Sequence, residues 1–162
     1  MIRVGLGFDV HPWAEGRPLV LGGVRVPSGR GLAGHSDADV LTHAVADALL
    51  GALALGDLGQ HFPDTDPRYR EIHSLVLLGR VLGLVRARGG RVQNVDGTLI
   101  AQSPRLGQWL DAMREALAVA LELDVGRVSV KAKSPEGLGV LGREEGVAAM
   151  AVVAVEVAGD GS

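Results

Sequence analysis

Arg3-Val4-Gly5-Leu6-Gly7-Phe8-Asp9-Val10-His11 reads as a β-strand that ends in two side chains able to bind a metal. In extended backbone successive side chains alternate between faces, so Asp9 and His11, two positions apart, point the same way. Downstream, Ser36-Asp37-Ala38-Asp39-Val40-Leu41-Thr42-His43-Ala44 reads as the opening turns of a helix and brings a second imidazole. Two imidazole nitrogens and one carboxylate oxygen are a usual ligand set for zinc. A fourth position left open to water or substrate marks a catalytic rather than a structural metal. The pattern points to chemistry on an oxygen-rich substrate. A lone helical histidine is ordinarily a core or surface residue, and that reading of His43 stands until the three groups are shown to meet.

Working outward, Leu19-Val20-Leu21, a Gly22-Gly23 turn and Val24-Arg25-Val26 predict a hairpin between Pro18 and Pro27. Ser28 to Gly34 is Gly-rich and predicts a loop. Ser36 is expected to cap the helix, with Asp39 at its third position, and the helix to run through Val40, Ala44, Ala48 and Leu55 up to Gly56. Gly56 to Pro67, dense in Asp, Gly and Pro, predicts a second polar loop. Between Glu71 and Arg88, Leu75, Leu78, Leu82 and Val85 recur at helical spacing, and Gly89-Gly90 closes the segment. Val92 to Ala101 reads as a strand. After Ser103-Pro104 a helix reaches about Leu123, with Leu106, Leu110, Met113, Leu117 and Leu121 as its apolar stripe. Val128 to Lys133 alternates as a strand, and a Gly-rich loop leads to a last strand, Val147 to Val157, apolar on both faces. This order predicts an α+β fold (an α/β sandwich) in which helices cover one face of a mixed sheet. Residues 1–158 form one domain and 159–162 a short tail.

The chain of 162 residues is long enough for one domain with a substantial core. A net charge of −3 provides no basic field, so nucleic acid is not an expected partner. The absence of cysteine excludes a disulfide framework, a thiolate metal site and a cysteine nucleophile. No uninterrupted apolar run reaches about 18 residues, which argues against a membrane span. The strand pattern begins without a charged n-region or apolar h-region, so a soluble cytoplasmic protein is expected. Aromatic residues make up only 3% of the chain, and the core must therefore be aliphatic.

Other groups carry weaker signals. Asp39 and Asp47 lie four residues on either side of His43, where either would hold its second ring nitrogen; ordinary solvated carboxylates would look the same. His35-Ser36, just before the helix, offers free N–H groups and two polar side chains to a phosphate, and plain capping by Ser36 is compatible with that. Asp57, Asp64 and Asp66 crowd one loop, either to accept from sugar hydroxyls or simply to shape turns. Lys133-Ser134-Pro135-Glu136-Gly137-Leu138-Gly139 follows a strand. It provides a hydroxyl, backbone N–H groups and a carboxylate suited to a hard divalent cation on phosphate oxygens.

Together these signals form an ordered set. Gly7-Phe8-Asp9-Val10-His11, His35-Ser36-Asp37-Ala38-Asp39-Val40 with His43, Ala48-Leu49-Leu50-Gly51-Ala52, and Gly56-Asp57 followed by Phe62-Pro63-Asp64-Thr65-Asp66 come first. Asn94-Val95-Asp96, Ile100-Ala101-Gln102-Ser103-Pro104, Lys131-Ala132-Lys133, and Glu136-Gly137-Leu138-Gly139 leading to Gly142-Arg143-Glu144-Glu145-Gly146 complete it. Over almost its whole length the chain resembles the 2-C-methyl-D-erythritol 2,4-cyclodiphosphate synthase family of the non-mevalonate isoprenoid route. The resemblance implies a homotrimer with active sites between subunits. It implies one zinc, or a similar divalent cation, on Asp9, His11 and His43, and magnesium or manganese held by Glu136 and the substrate's diphosphate. The implied substrate is a cytidine-diphosphate ester of methylerythritol carrying a 2-phosphate. That phosphate attacks the β-phosphorus, closes a cyclic diphosphate and expels CMP, the reaction of a CMP-forming phosphorus–oxygen lyase.

By the same resemblance His35 and Ser134 stabilise the transition state. Asp9, Val10, His11, Ser36, Leu58, Gly59, Phe62, Pro63, Thr65 and Asp66 contact substrate, while Asp57 and Asp64 grip the erythritol hydroxyls. The cytidine pocket corresponds to Ala101, Gln102, Ser103, Pro104, Arg105, Leu106 and Gly107 with Lys133, Ser134, Pro135 and Glu136. Val140 and Arg143 line the trimer axis. There are departures. Leu6 stands where some members have His, Lys133-Ser134-Pro135 replaces a frequent Thr-Thr-Thr, and Val140 replaces a frequent Phe. Ser134 keeps the hydroxyl, whereas Pro135 removes a backbone N–H. Two other readings remain to be separated by experiment: a zinc hydrolase of phosphate esters, and a non-catalytic trimer that binds a nucleotide or isoprenoid diphosphate.

Overall fold

The computed structural model describes residues 1–158, and the expected tail at 159–162 lies outside them. In chain order the elements are β1 (Ile2–Glu15), β2 (Leu19–Leu21), β3 (Val24–Val26), β4 (Arg30–Leu32), α1 (Val40–Ala52), α2 (Leu58–His61), α3 (Ser74–Ala87), β5 (Gly90–Ile100), α4 (Leu110–Leu121), β6 (Val128–Lys133), α5 (Gly139–Gly142) and β7 (Gly146–Val157). Five strands form one mixed sheet in the order β4-β1-β7-β5-β6, and β2 and β3 make a separate hairpin. Among the described residues only the β5–β6 pair is parallel, and α4 makes the crossover that a parallel pair requires. Helices α1, α3 and α4 pack on one face of the sheet, as expected from the sequence. Among the described residues no helix is long and apolar enough to cross a membrane.

The closeness of α1 to β1 follows from two glycines. A Cβ built on Gly5 would lie 1.8 Å from the Ala48 carbonyl oxygen, and one on Gly7 would lie 1.9 Å from that of Ala44. Only a residue without a side chain admits a helix backbone at that distance. Because side chains alternate, Gly5, Gly7, Asp9 and His11 share the helix-side face, so the approach that needs glycine also sets Asp9 beside His43. The core is aliphatic. Leu41, Val45 and Leu49 from α1, Leu78 and Val85 from α3, Met113 and Leu117 from α4, and Val153 and Val155 from β7 are almost fully buried.

The opposite face of the sheet is left uncovered by α1, α3 and α4. Val4, Leu6 and Phe8 on β1 are 66%, 62% and 54% exposed, and Met150 and Val152 on β7 are 41% and 44% exposed. Phe8 pairs with Met150 and Leu6 with Val152, so these side chains form one continuous apolar surface.

Several boundaries differ from the sequence expectation. Asp39, not Ser36, caps α1 and accepts the Thr42 N–H at 3.0 Å. Ala38 takes a left-handed φ of 57° and turns the chain once more before the helix starts. The same carboxylate receives the turn N–H groups of Gly22 and Gly23 at 2.8 and 2.7 Å, which pins the β2–β3 hairpin to the helix. The helix ends at Ala52 rather than near Gly56, because Ala54 is left-handed and the Leu55 N–H returns to the Leu50 carbonyl. Within the expected loop at 28–34, Arg30–Leu32 pairs with the extension of β1 beyond His11. The expected loop at 56–67 contains α2, capped by Asp57, and Asp66 caps a single 3-10 turn at Pro67–Tyr69. The Gly-rich loop before β7 contains the short α5.

Candidate active site

β1 and α1 bring Asp9, His11 and His43 together, the only such trio of possible metal ligands among the described residues. One Asp9 oxygen, Oδ2, lies 3.1 Å from His11 Nε2 and 3.0 Å from His43 Nδ1, and the three ligand atoms lie within 4.8 Å of one another. All three side chains are at least three-quarters buried. His11 Nδ1 lies 2.6 Å from the Ala33 carbonyl, which can only accept, so that nitrogen carries a proton and in the neutral ring Nε2 turns a lone pair inward. A carboxylate oxygen and a bare imidazole nitrogen repel each other unless a cation or a proton stands between them. The donor set therefore fits a divalent metal of the zinc type. Burial works to raise the Asp9 pKa, but the imidazoles of His11 and His43, whenever they carry a second proton, outweigh it and hold the carboxyl well below the usual range. For His11 burial favours the neutral ring, and the Asp9 hydrogen bond and charge overcome it, raising its pKa above the ordinary value.

The second ring nitrogen of His43 meets neither expected carboxylate. Its Nε2 lies 2.8 Å from Ser74 Oγ and 3.2 Å from Ser36 Oγ. Asp39 is occupied with the hairpin turn and the helix cap, and burial pushes its pKa up against those donors. Asp47 accepts the Leu58 N–H at 2.7 Å and so ties α2 to α1; burial raises its pKa as well. His35 and Ser36 do not sit at the start of α1, which begins at Val40, so the expected helix-terminus phosphate site is not formed there.

The trio opens into a cavity of about 540 Å³. His35, Ser36, Leu58, Gly59, Phe62, Pro63 and Asp64 line it, as expected, and His35 Nε2 donates to the Asp66 carbonyl at 3.2 Å. Gly34, Tyr69 and Leu77 also line it without having been singled out in the sequence, and Asp47, expected as a partner of His43, lines it instead. Thr65 lies in a neighbouring hollow beside His35. Asp57 and Asp66 spend their carboxylates on local caps, Asp66 also pairing with Arg68 at 2.6 Å. Val10 projects from the opposite, open face.

A second cavity of about 830 Å³ lies at the ends of β5 and β6. Ala101, Gln102, Pro104, Arg105, Leu106, Gly107, Lys133, Ser134 and Glu136 line it, joined by Gln108, Leu110 and Ala132, which the sequence reading missed. Ser134 Oγ accepts the Glu136 N–H at 2.9 Å, and Glu136 holds a left-handed φ of 56° with its carboxylate exposed. A strained backbone at a non-glycine residue is a frequent mark of a functional position. Ser103 is not a lining residue. Its hydroxyl donates to Glu144 at 2.6 Å, and Glu144 also receives Arg30 at 3.0 Å. Pro135, Val140 and Arg143 lie outside both cavities, with Val140 52% exposed and Arg143 paired to Glu145 at 2.7 Å. Within one chain the two cavities share no lining residue.

The sequence profile of the YgbB family matches residues 2–156. The chain belongs to the YgbB family. It is 60% identical over 152 residues to the 2-C-methyl-D-erythritol 2,4-cyclodiphosphate synthase of Syntrophobacter fumaroxidans, covering 94% of this chain and 96% of that one. Among solved structures, a CDP-bound 2C-methyl-D-erythritol-2,4-cyclodiphosphate synthase superposes with a TM-score of 0.87 at 41% identity, covering 95% of this chain and all of that one. The bifunctional IspDF of Campylobacter jejuni matches with a TM-score of 0.94 at 43% identity over 98% of this chain, which spans 43% of that longer one. The YgbB match thus runs through both cavities and every candidate ligand.

Proposed function

We propose that this protein converts 4-diphosphocytidyl-2-C-methyl-D-erythritol 2-phosphate to 2-C-methyl-D-erythritol 2,4-cyclodiphosphate and CMP. The observation that carries the reading is the meeting of Asp9, His11 and His43 at the floor of a cavity that also presents His35, Ser36 and Asp64. Residues 1–158 act as one catalytic domain. An oxygen of the 2-phosphate attacks the β-phosphorus, the bond from that phosphorus to the bridging oxygen breaks, and CMP leaves with the electron pair. No protein nucleophile is needed. In-line positioning and neutralisation of phosphate oxygens supply most of the rate.

A divalent cation on Asp9, His11 and His43, zinc by the chemistry of the donors, supplies Lewis-acid neutralisation of a phosphate oxygen. Glu136 offers an exposed carboxylate to magnesium or manganese on the diphosphate. His35 and Ser134 donate to oxygens that gain charge in the transition state. Asp57 and Asp64 hold the erythritol hydroxyls, with Asp57 exchanging its capping bond for the substrate. The cavity around Ala101 to Gly107 and Lys133 to Glu136 takes the cytidine, largely through backbone groups.

The two cavities have to be brought into one site, and a homotrimer does this by setting the second cavity of one subunit against the metal trio of its neighbour. The open apolar face of the sheet supports that assembly, since a soluble chain seldom leaves so large a patch uncovered. Incubation with the cytidylyl substrate followed by phosphorus NMR tests the reading. Equal amounts of cyclic diphosphate and CMP are expected, and His43→Ala is expected to remain trimeric but lose nearly all turnover. Release of inorganic phosphate instead would make the protein a hydrolase, and binding without turnover would leave it a nucleotide-binding trimer.

A further inference from the structure

Ser74 opens α3 and is fully buried, thirty-one positions from His43 in sequence. Its hydroxyl meets two partners: Asp37 Oδ1 in a hydrogen bond, and His43 Nε2 at 2.8 Å. As a carboxylate Asp37 can only accept, so the single hydroxyl proton of Ser74 points to it. The lone pairs of Ser74 Oγ are then what His43 meets, and a nitrogen facing a lone pair must carry hydrogen. His43 is thereby held with its proton on Nε2 and its own lone pair on Nδ1, the atom that faces Asp9. Ser36 Oγ at 3.2 Å is a second acceptor for the same N–H. We propose that Asp37 and Ser74 are positioning residues that set the tautomer and ring orientation of His43 and so prepare Nδ1 to bind the metal.

This rests on the metal-site reading above, and the same hydrogen bonds have a structural side that the test must separate. The Ser74 N–H donates to Asp37 Oδ2 at 2.9 Å, while His73, at the cap position, makes no side-chain cap bond; Asp37 therefore also serves as a distant cap for α3. Ser74→Ala removes the hydroxyl and leaves that N–H in place. It separates tautomer control from capping, whereas a change at Asp37 would disturb both. Ser74→Thr keeps the hydroxyl and should restore whatever Ser74→Ala loses.

The experiment measures zinc(II) affinity of the full-length protein by competition with a chromogenic chelator, alongside thermal unfolding in excess chelator. Ser74→Ala should bind zinc roughly 10- to 100-fold more weakly, the usual effect of removing a partner that orients a metal-bound imidazole. Its metal-free unfolding temperature should change far less than its affinity, and Ser74→Thr should recover the affinity. Nitrogen-15 NMR of histidine-labelled, zinc-loaded protein should show a His43 Nε2–H resistant to solvent exchange in the wild type and exchanging quickly in Ser74→Ala. If Ser74→Ala does not fold, Ser74→Cys, close in shape but a weaker acceptor, should show the same loss in smaller measure. Wild-type zinc affinity and exchange in the folded variants would overturn the inference while leaving the metal site intact. Unchanged affinity in His43→Ala would instead overturn the metal-site reading itself.

Discussion

Gly7→Ala is the smallest change that should dismantle the metal centre from outside it. The added Cβ would sit 1.9 Å from the Ala44 carbonyl oxygen and 2.8 Å from the Ala48 backbone nitrogen, both fixed parts of α1. A carbon cannot rest closer than about 3 Å to that oxygen, so this turn of the helix must retreat by roughly 1 Å. His43 precedes Ala44 and moves with it, whereas Asp9 stays on β1. Metal–ligand distances tolerate only about ±0.2 Å, so His43 drops out of a three-ligand set and affinity falls on the order of 100-fold or more. Overpacking of this kind also costs about 1–3 kcal/mol in stability.

Gly5→Ala supplies the control. Its Cβ would meet the Ala48 oxygen at 1.8 Å and the Ala52 nitrogen at 2.7 Å, one turn further from His43. Both variants should lose similar stability in excess chelator, but Gly7→Ala should lose much more zinc affinity. Equal affinities for the two variants, or wild-type affinity in Gly7→Ala, would refute the claim that helix–strand approach at Gly7 places His43.

Two further outcomes follow from the other face and the other cavity. Leu6→Glu puts a charge on the open apolar surface; light scattering should show monomers with zinc still bound and turnover lost, and an intact active trimer would remove this face from the interface. Glu136→Gln should raise the magnesium concentration for half-maximal activity roughly tenfold, since a charged ligand to a hard cation is lost; an unchanged magnesium titration would remove Glu136 from the second metal site.

How much of this was legible in the sequence depends on the range of the interaction. Asp9 and His11 announce themselves because a period of two is local, and the α4 stripe of Met113, Leu117 and Leu121 because a helical period is local; Leu106, expected on that stripe, instead precedes a 3-10 turn at Gly107–Trp109, so the helix starts only at Leu110. Ser74 gave no such signal. It stands at the start of an ordinary amphipathic helix, and its partners Asp37 and His43 are thirty-seven and thirty-one residues away. Asp39 was misassigned for the same reason: two of its four donors come from the hairpin turn at Gly22-Gly23, which fixes the cap three residues later than Ser36. The short β4 was invisible because three residues around Gly31 carry no alternation, and only pairing with Trp13 to Glu15 makes them a strand. The second cavity was largely traceable through the resemblance. The diversion of Ser103 to Glu144, which Arg30 also meets, was not, since the start of β4 and two loops far apart in sequence converge there.

The register of β1 joins these observations. On one side of the strand Gly5 and Gly7 admit α1 and Asp9 and His11 reach toward the metal position; on the other Val4, Leu6, Phe8 and Val10 build the apolar face. A strand's period of two makes these assignments inseparable: slipping the pairing with β7 by one residue would aim both ligands at the open surface and drive Leu6 and Phe8 into the helix backbone. Pairing of Gly5 with Val153, Gly7 with Ala151 and Asp9 with Ala149 puts small or buried partners along the helix side, so the sheet rejects the slip. Metal ligation and the proposed assembly are thus set by one register. A chain that folds well enough to seat α1 on Gly5 and Gly7 has already turned its candidate ligands inward and its apolar face outward.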